Sequence, residues 1–245
     1  MSRISYKNSN GFKLESVTTI IGNNLGWNKN VLLAWQAREF KEGRDPTKKK
    51  DKAADIGSVC HHYIDCEHKG INVLDSYKKE HDLDSLIIAE KCVEEYRNKI
   101  QSLGLVPVDS EKSLVSNSYG YGGTIDLRYL IDGTLVLGDI KTSPHIYGEY
   151  LVQVGAYDNL LIENGFGDSD KYAFVLIDKH LKESNELVRV VYVPKEVIKR
   201  GFEVFKYLLE MNRIKKEFIE CLKGITNETI KTELQENGGE VMRGI

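Results

Sequence analysis

Two carboxylates and an amine lie close together near the middle of the chain: Asp126 in Gly123-Thr124-Ile125-Asp126, and Asp139 and Lys141 in Asp139-Ile140-Lys141. The stretches that contain them, YGGTIDLRYLI and TLVLGDIKTS, are patterned as strands and joined by Asp132-Gly133, a strong two-residue hairpin signal. Strand side chains alternate, so Asp139 and Lys141 share a face, and the hairpin sets Asp126 on the neighbouring strand within reach of both. Paired carboxylates suit a hard cation such as Mg²⁺, which binds through one or two carboxylates and substrate phosphate. A lysine beside them can position or help deprotonate an attacking water and offset charge on a phosphoryl group in its transition state. A D-x-K tripeptide alone reads as a surface ion pair on an edge strand. Here Asp126 follows Gly122-Gly123 and Asp139 follows the apolar run TLVL and Gly138, so both acids fall where buried strand residues end and need a partner.

Other chemistries are missing from the sequence. There is no H-E-x-x-H, no G-x-S-x-G and no G-x-G-x-x-G. Gly133 to Gly138 has P-loop glycine spacing but continues as Asp139-Ile140, which argues against a nucleoside-triphosphate enzyme. Cys60, Cys66, Cys92 and Cys221 have no C-x-x-C spacing and read as reduced, partly buried thiols. The balance of 34 basic and 37 acidic residues gives a formal charge of −3, so any nucleic-acid contact must come from a local patch. A chain of 245 residues with 41% hydrophobic and 29% charged positions reads as an ordinary globule. Its longest apolar run, Tyr172 to Ile177, is too short for a membrane span, and MSRISYKNSNGFK has no signal-peptide pattern, so a cytoplasmic location is expected.

The elements that must position these residues follow in order. Ser16 before VTTIIG and Asn28 to Asn30 before VLLAWQAREFKEG predict two short helical pieces, the second ended by Gly43. RDPTKKKDK, residues 44–52, reads as a solvated linker or a phosphate-contacting loop. Helices are expected over 53–68 and from an Asp84 N-cap to Gly104, then three antiparallel strands from Leu105 to Ser143. A helix over Tyr147 to Asn164, strands KYAFVLID and ELVRVVYV, and a helix from Pro194 to about Leu222 complete the order. The expected organisation is one domain over 1–223, with a helical region at 1–104 and a sheet core at 105–223, and a frayed polar tail at 224–245.

These residues resemble the RecB-type PD-(D/E)XK nucleases, in particular the phage and mitochondrial genome maintenance exonucleases. The resemblance runs from SVTTI to the helix after KTS. Gly57-Ser58-Val59-Cys60-His61 matches the family's G-x-x-x-H, Gly123 to Asp126 its G-x-x-D, Asp139 to Lys141 its D-x-K, and Gln153 with Tyr157 its Q-x-x-x-Y. Glu111 stands in the place of an accompanying upstream glutamate. The resemblance implies a restriction-endonuclease-like α/β fold, a mixed central sheet flanked by helices with an N-terminal helical region. It further implies a DNA exonuclease of recombination, repair or phage DNA processing, acting on ends or single strands. In that scheme Asp126, Asp139, His61 and the Ile140 carbonyl hold one or two Mg²⁺ ions, with Mn²⁺ able to substitute, and Lys141 assists the attacking water. Relatives that carry an iron-sulfur cluster hold it with one upstream and three C-terminal cysteines; only Cys221 lies beyond the motifs here, so no cluster is expected.

The residues themselves leave some choices open. His61 and Asp65 are one helical turn apart, as are Gln153 and Tyr157. His62 competes with His61, and only the Gly57 spacing prefers His61. Gln153 and Tyr157 are either a helix-packing pair or, with Thr142 and Ser143, contacts to substrate or to Lys141; Glu111 and Asp65 are supporting candidates. Trp27, Trp35, Arg38 and the lysines at 48–50 either supply stacking surfaces and charge for a threaded single strand or, for the tryptophans, belong to the core. The expected partner is DNA with a free end or a single strand, with no membrane; a recombination partner protein is possible and unidentified. The alternatives are a restriction-like or structure-specific endonuclease, and a nonenzymatic DNA-end-binding module, against which the intact Asp126, Asp139 and Lys141 argue.

Overall fold

The computed structural model describes residues 4–72, 81–179 and 186–240, with side chains as far as Ile225. Strands β3 (Val106–Ser116), β4 (Tyr121–Ile131) and β5 (Thr134–Lys141) form the expected antiparallel meander. Asp132 and Gly133 between the last two both have positive φ, 48° and 75°, as a type I′ turn requires. Helix α5 (Gly148–Glu163) then crosses over to β6 (Lys171–Ile177), which pairs parallel with β5, and β7 (Val188–Val193) returns antiparallel to β6. The fold is α/β with a mixed seven-stranded sheet.

Two strands depart from the expectation. β1 (Tyr6–Lys7) and β2 (Lys13–Ser16) pair with each other, and β2 runs parallel to β4 through Glu15 and Ser16. The first 104 residues are therefore not only helical. These strands are too short for alternation to register, and the partner that joins β2 to the main sheet, β4, is more than a hundred positions away. They matter for the site: β3 lines one edge of β4 along its length, while β2 and β5 share the other edge, β2 at Tyr121 and Gly122 and β5 from Leu127 onward.

Helices α3 (Pro46–His68) and α4 (Leu83–Ser102) cover one face, where Ile56, Val59, Tyr63, Val93 and Tyr96 meet Leu127, Val136, Ile140 and Val175. Helices α1 (Val17–Asn24), α5 and α6 (Lys195–Glu240) cover the other, where Ile20, Val154, Leu160 and Phe205 meet Tyr121, Ile125, Leu137 and Phe174. Burial on both faces is why Tyr172 to Ile177 is an unbroken apolar run and not an alternating one. No described helix is long and apolar enough to cross a membrane.

Three further boundaries differ. Residues 46–52 are not a linker or loop but the first turns of α3, because Asp45 caps Thr47 and Lys48 and Pro46 sits at the first helical position. Lys49 is spent on Glu39, and Lys52 on Asp84 and Asp82, within the protein. The cap of α4 is Asp82, not Asp84, through its bond from the Ser85 amide. Helix α6 continues past Leu222 to Glu240 in place of the frayed segment, and 241–245 lie outside the described residues. The remaining helix, α2 (Lys29–Lys41), lies where expected, and Gly43 follows it with φ 71°.

Helices α5 and α6 cross backbone to backbone. A Cβ on Gly155 would fall 2.5 Å from the Phe202 amide nitrogen, and one on Gly201 would fall 2.3 Å from the Leu151 carbonyl oxygen. Backbone cannot yield as a side-chain tip can, so Gly155→Ala or Gly201→Ala forces the helices apart. The expected cost is ~1–3 kcal/mol of overpacking, read as a lower urea midpoint with unchanged slope; an unchanged midpoint would contradict this packing.

Candidate active site

The site lies where β5 leaves β4. Between Gly122 and Leu127 the shared edge of β4 has no strand partner among the described residues, and the Ile140 amide donates to Asp126 Oδ2 at 2.9 Å. The Asp126 carboxylate thus takes the place of a ladder carbonyl. The faces of β4 change over at the same point: Tyr121 and Ile125 pack against α5 and α6, whereas Leu127 and Tyr129 pack against α3 and α4. Across the other edge, between the pairs Ser110–Leu127 and Lys112–Ile125, Glu111 has φ 46°. A left-handed glutamate inside a strand is strained by ~1–3 kcal/mol, and such strain clusters at functional sites.

His61 on α3 completes a group with these acids. Its Nδ1 lies 3.7 Å from Asp126 Oδ2 and 3.9 Å from Glu111 Oε1, and one ligand atom from each of the three residues lies within 4.8 Å of the others. Burial alone would depress the His61 imidazolium, but Asp126 and Glu111 outweigh it and its pKa is raised. The motif glycines explain the approach. A Cβ on Gly57 would lie 2.9 Å from Thr142 Oγ1, and one on Gly123 would lie 2.7 Å from Tyr157 Cε1. Glycine at these points lets α3 and α5 close on the ends of β5 and β4. His62, the competitor, lies instead with Nε2 3.5 Å from Cys66 Sγ, outside the three-residue group, and burial lowers its pKa.

On the α5 side, Asp139 is 1% exposed, and neither of its oxygens has a directed hydrogen bond among the described residues. Lys141 Nζ lies 2.7 Å from its Oδ2 as an ion pair. Burial pushes the Asp139 pKa up to about 6, with Asp126 adding to the shift and Lys141 opposing it. Burial also works against the Lys141 ammonium, but Asp139 and Asp126 outweigh it and hold its pKa above the usual lysine value. Lys141 donates to Gln153 Oε1 at 3.0 Å, and Gln153 Nε2 donates to the Tyr157 hydroxyl at 2.8 Å. The Gln153–Tyr157 pair therefore reaches Lys141 directly.

The other expected residues have mixed placements. Ile140 contributes its amide to Asp126 while its side chain is buried in the α3 layer. Asp65 accepts from Ser110 Oγ at 2.6 Å and pairs with Lys69, tying α3 to β3 next to Glu111. Thr142 lines, with His61 and Glu111, a cleft of about 660 Å³. Ser143 closes a turn by donating to the His145 carbonyl. Two residues escaped the sequence reading: Tyr150, whose ring lies 4.7 Å from Lys141 Nζ, and Tyr6, whose hydroxyl is 2.8 Å from Thr124 Oγ1. No spacing rule marks either, because both reach the site through tertiary packing.

No family model matches the sequence, and no curated protein matches it. Among solved structures, similarity extends to a candidate exonuclease of Eubacterium rectale, 16% identical over 67% of this chain with a TM-score of 0.47; the match spans 66% of that chain, just under two thirds. The exonuclease LHK-Exo in complex with dAMP is 14% identical, with 71% of this chain and 92% of that one covered and a TM-score of 0.39. The alkaline exonuclease LHK-Exo from Laribacter hongkongensis is 14% identical, with 69% and 92% covered and a TM-score of 0.32. Likeness at this level assigns no activity to this chain and no role to any of its residues.

The donor set fits a divalent cation: His61, Glu111 and Asp126 converge, and the oxygens of the buried Asp139, outside that group, lack directed partners among the described residues. Two titrations then bear on the cation-free protein. The raised His61 pKa contributes stability below the ordinary imidazole pKa of about 6.5 that is lost as pH rises through its folded value. The raised Asp139 pKa means that ionising it costs stability as pH rises from about 4 through about 6. The contribution of both groups thus falls with rising pH, and Mn²⁺ should restore it at neutral pH, measured as thermal midpoint with and without the ion. His61→Gln should weaken Mn²⁺ binding by roughly tenfold or more in calorimetry, and His62→Gln much less; equal losses would remove His61 from the ligand set.

Proposed function

We propose that the chain is a divalent-metal-dependent deoxyribonuclease of the PD-(D/E)XK type, an exonuclease that hydrolyses phosphodiester bonds at DNA ends or in single strands. The observation that carries this reading is the convergence of His61, Glu111 and Asp126 beside the buried Asp139–Lys141 pair, at the fork between two strands. His61, Asp126 and Asp139, with Glu111 and the Ile140 carbonyl, would hold the ion, Mg²⁺ or Mn²⁺. A cation held there supplies positive charge against the scissile phosphate oxygens.

The protein's own groups do the rest. Lys141, kept protonated by Asp139 and Asp126, acts as a fixed positive charge and a donor, which orients the attacking water and offsets charge developing on the phosphoryl oxygens. Gln153 fixes where that ammonium points, and Tyr157 in turn fixes Gln153. Thr142 and Ser143 border the cleft and the loop that a DNA backbone would follow. In this reading residues 1–223 form one nuclease domain that works on DNA in the cytoplasm, that of the host if the chain is phage-encoded.

Lys141→Ala and Asp139→Asn should each reduce single-turnover cleavage of DNA by two to four decades, about 3–5 kcal/mol of barrier, with circular dichroism unchanged. Wild-type turnover by either variant at saturating Mg²⁺ would overturn the site assignment. The end requirement is tested separately. Linear single strands should be degraded in Mg²⁺ and covalently closed circles of the same sequence spared; equal rates would make the enzyme an endonuclease.

A further inference from the structure

We propose that the first turn of α5 and the Trp27 loop form a stacking platform for an unpaired DNA base beside the scissile phosphate, an inference that rests on the deoxyribonuclease reading. Aromatic rings lead outward from Lys141 without a break. The Tyr150 ring stands 4.7 Å from Lys141 Nζ and is backed by Phe174 at 6.2 Å. Tyr147 meets Tyr150 edge to face at 5.4 Å, and His145 meets Tyr147 at 6.4 Å. Trp27 lies against the backbone of Gly148, where a Cβ would fall 2.7 Å from its ring. Asn28 Nδ2, next to it, donates to Glu149 Oε2 at 2.5 Å and ties the Trp27 loop to α5.

The exposure of these rings runs opposite to that of a core. Phe174 is buried and Tyr150 half-buried, while Tyr147 is 36% and Trp27 57% exposed. An indole held in place and still more than half exposed presents a flat apolar face with a polar edge, which suits a nucleobase. Bases inside a duplex are stacked on both sides, so away from a duplex end it is an unpaired base that has a face to offer. Positive charge under the adjoining loop fits the accompanying phosphates: the Arg189 guanidinium donates to the Pro144 carbonyl. A strand whose phosphate lies at Lys141 would therefore rest a neighbouring base on Tyr147 and Trp27.

The test titrates wild-type protein in EDTA with short single-stranded oligonucleotides carrying 2-aminopurine at each position in turn. One position should be quenched by stacking. Trp27→Ala and Tyr147→Ala should each weaken binding by about tenfold and relieve that quenching. Trp27→Phe should recover most of it, and all three variants should hydrolyse bis(p-nitrophenyl) phosphate in Mn²⁺ at the wild-type rate. An oligonucleotide abasic at the quenched position should bind wild-type protein as weakly as the alanine variants bind the intact strand, a comparison that needs no variant to fold. If neither alanine variant nor the abasic site changes affinity while wild type degrades linear DNA, the platform falls and the nuclease reading stands. If wild type neither binds nor cleaves DNA, both fall.

Discussion

One hydrogen bond sits at the point on which the rest of the site depends. Where β5 parts from β4, the Ile140 amide would be left without a ladder partner in a buried setting, and the Asp126 carboxylate accepts it at 2.9 Å. An unpaired buried amide costs about 1–3 kcal/mol, so the fork is tolerable because a carboxylate fills it. The same bond fixes Asp126 beside His61 and Glu111 and brings Asp139 and Lys141 to the open end of β5. The strained φ of Glu111 on the opposite edge belongs to the same distortion, since the ladder carries no Glu111–Asp126 pair.

The second constraint is charge balance. Asp126 stands with Glu111 on one side and faces the buried Asp139 on the other, so neighbouring carboxylates repel, and burial of Asp139 adds to the cost. Lys141 and, when protonated, His61 offset part of this, which is why both have raised pKa values despite being partly enclosed. A proton on His61 and a divalent cation would compete for the same group of side chains, as expected when ligand groups must be deprotonated to bind. The chain of contacts behind Lys141, through Gln153 to Tyr157, and the Tyr150 ring against it limit where the ammonium can point.

Much of this was legible in the sequence, because the signals concerned are local. The Asp132-Gly133 turn, the strand alternation around Asp139 and Lys141, and the four-residue separation of Gln153 and Tyr157 depend only on backbone periodicity. The helix caps are equally local: the charge of RDPTKKKDK points to a solvated linker, but its Asp-Pro cap starts α3 there. Gly57 and Gly123 were recognisable as motif positions, but their reason, a Thr142 hydroxyl and a Tyr157 ring where a Cβ would be, is a contact between distant segments.

What the sequence by itself determined is thus the order of most elements and the identity of the candidate site groups, both written in spacings of a few residues. Only the tertiary structure decided that β2 takes over the edge that β5 abandons, that Glu111 stands with His61 and Asp126, that His62 turns away toward Cys66, and that Tyr150 backs Lys141. Each of these depends on the packing of segments far apart in the chain. The free energy that selects them comes from burial and pairing across the sheet, which no local pattern encodes.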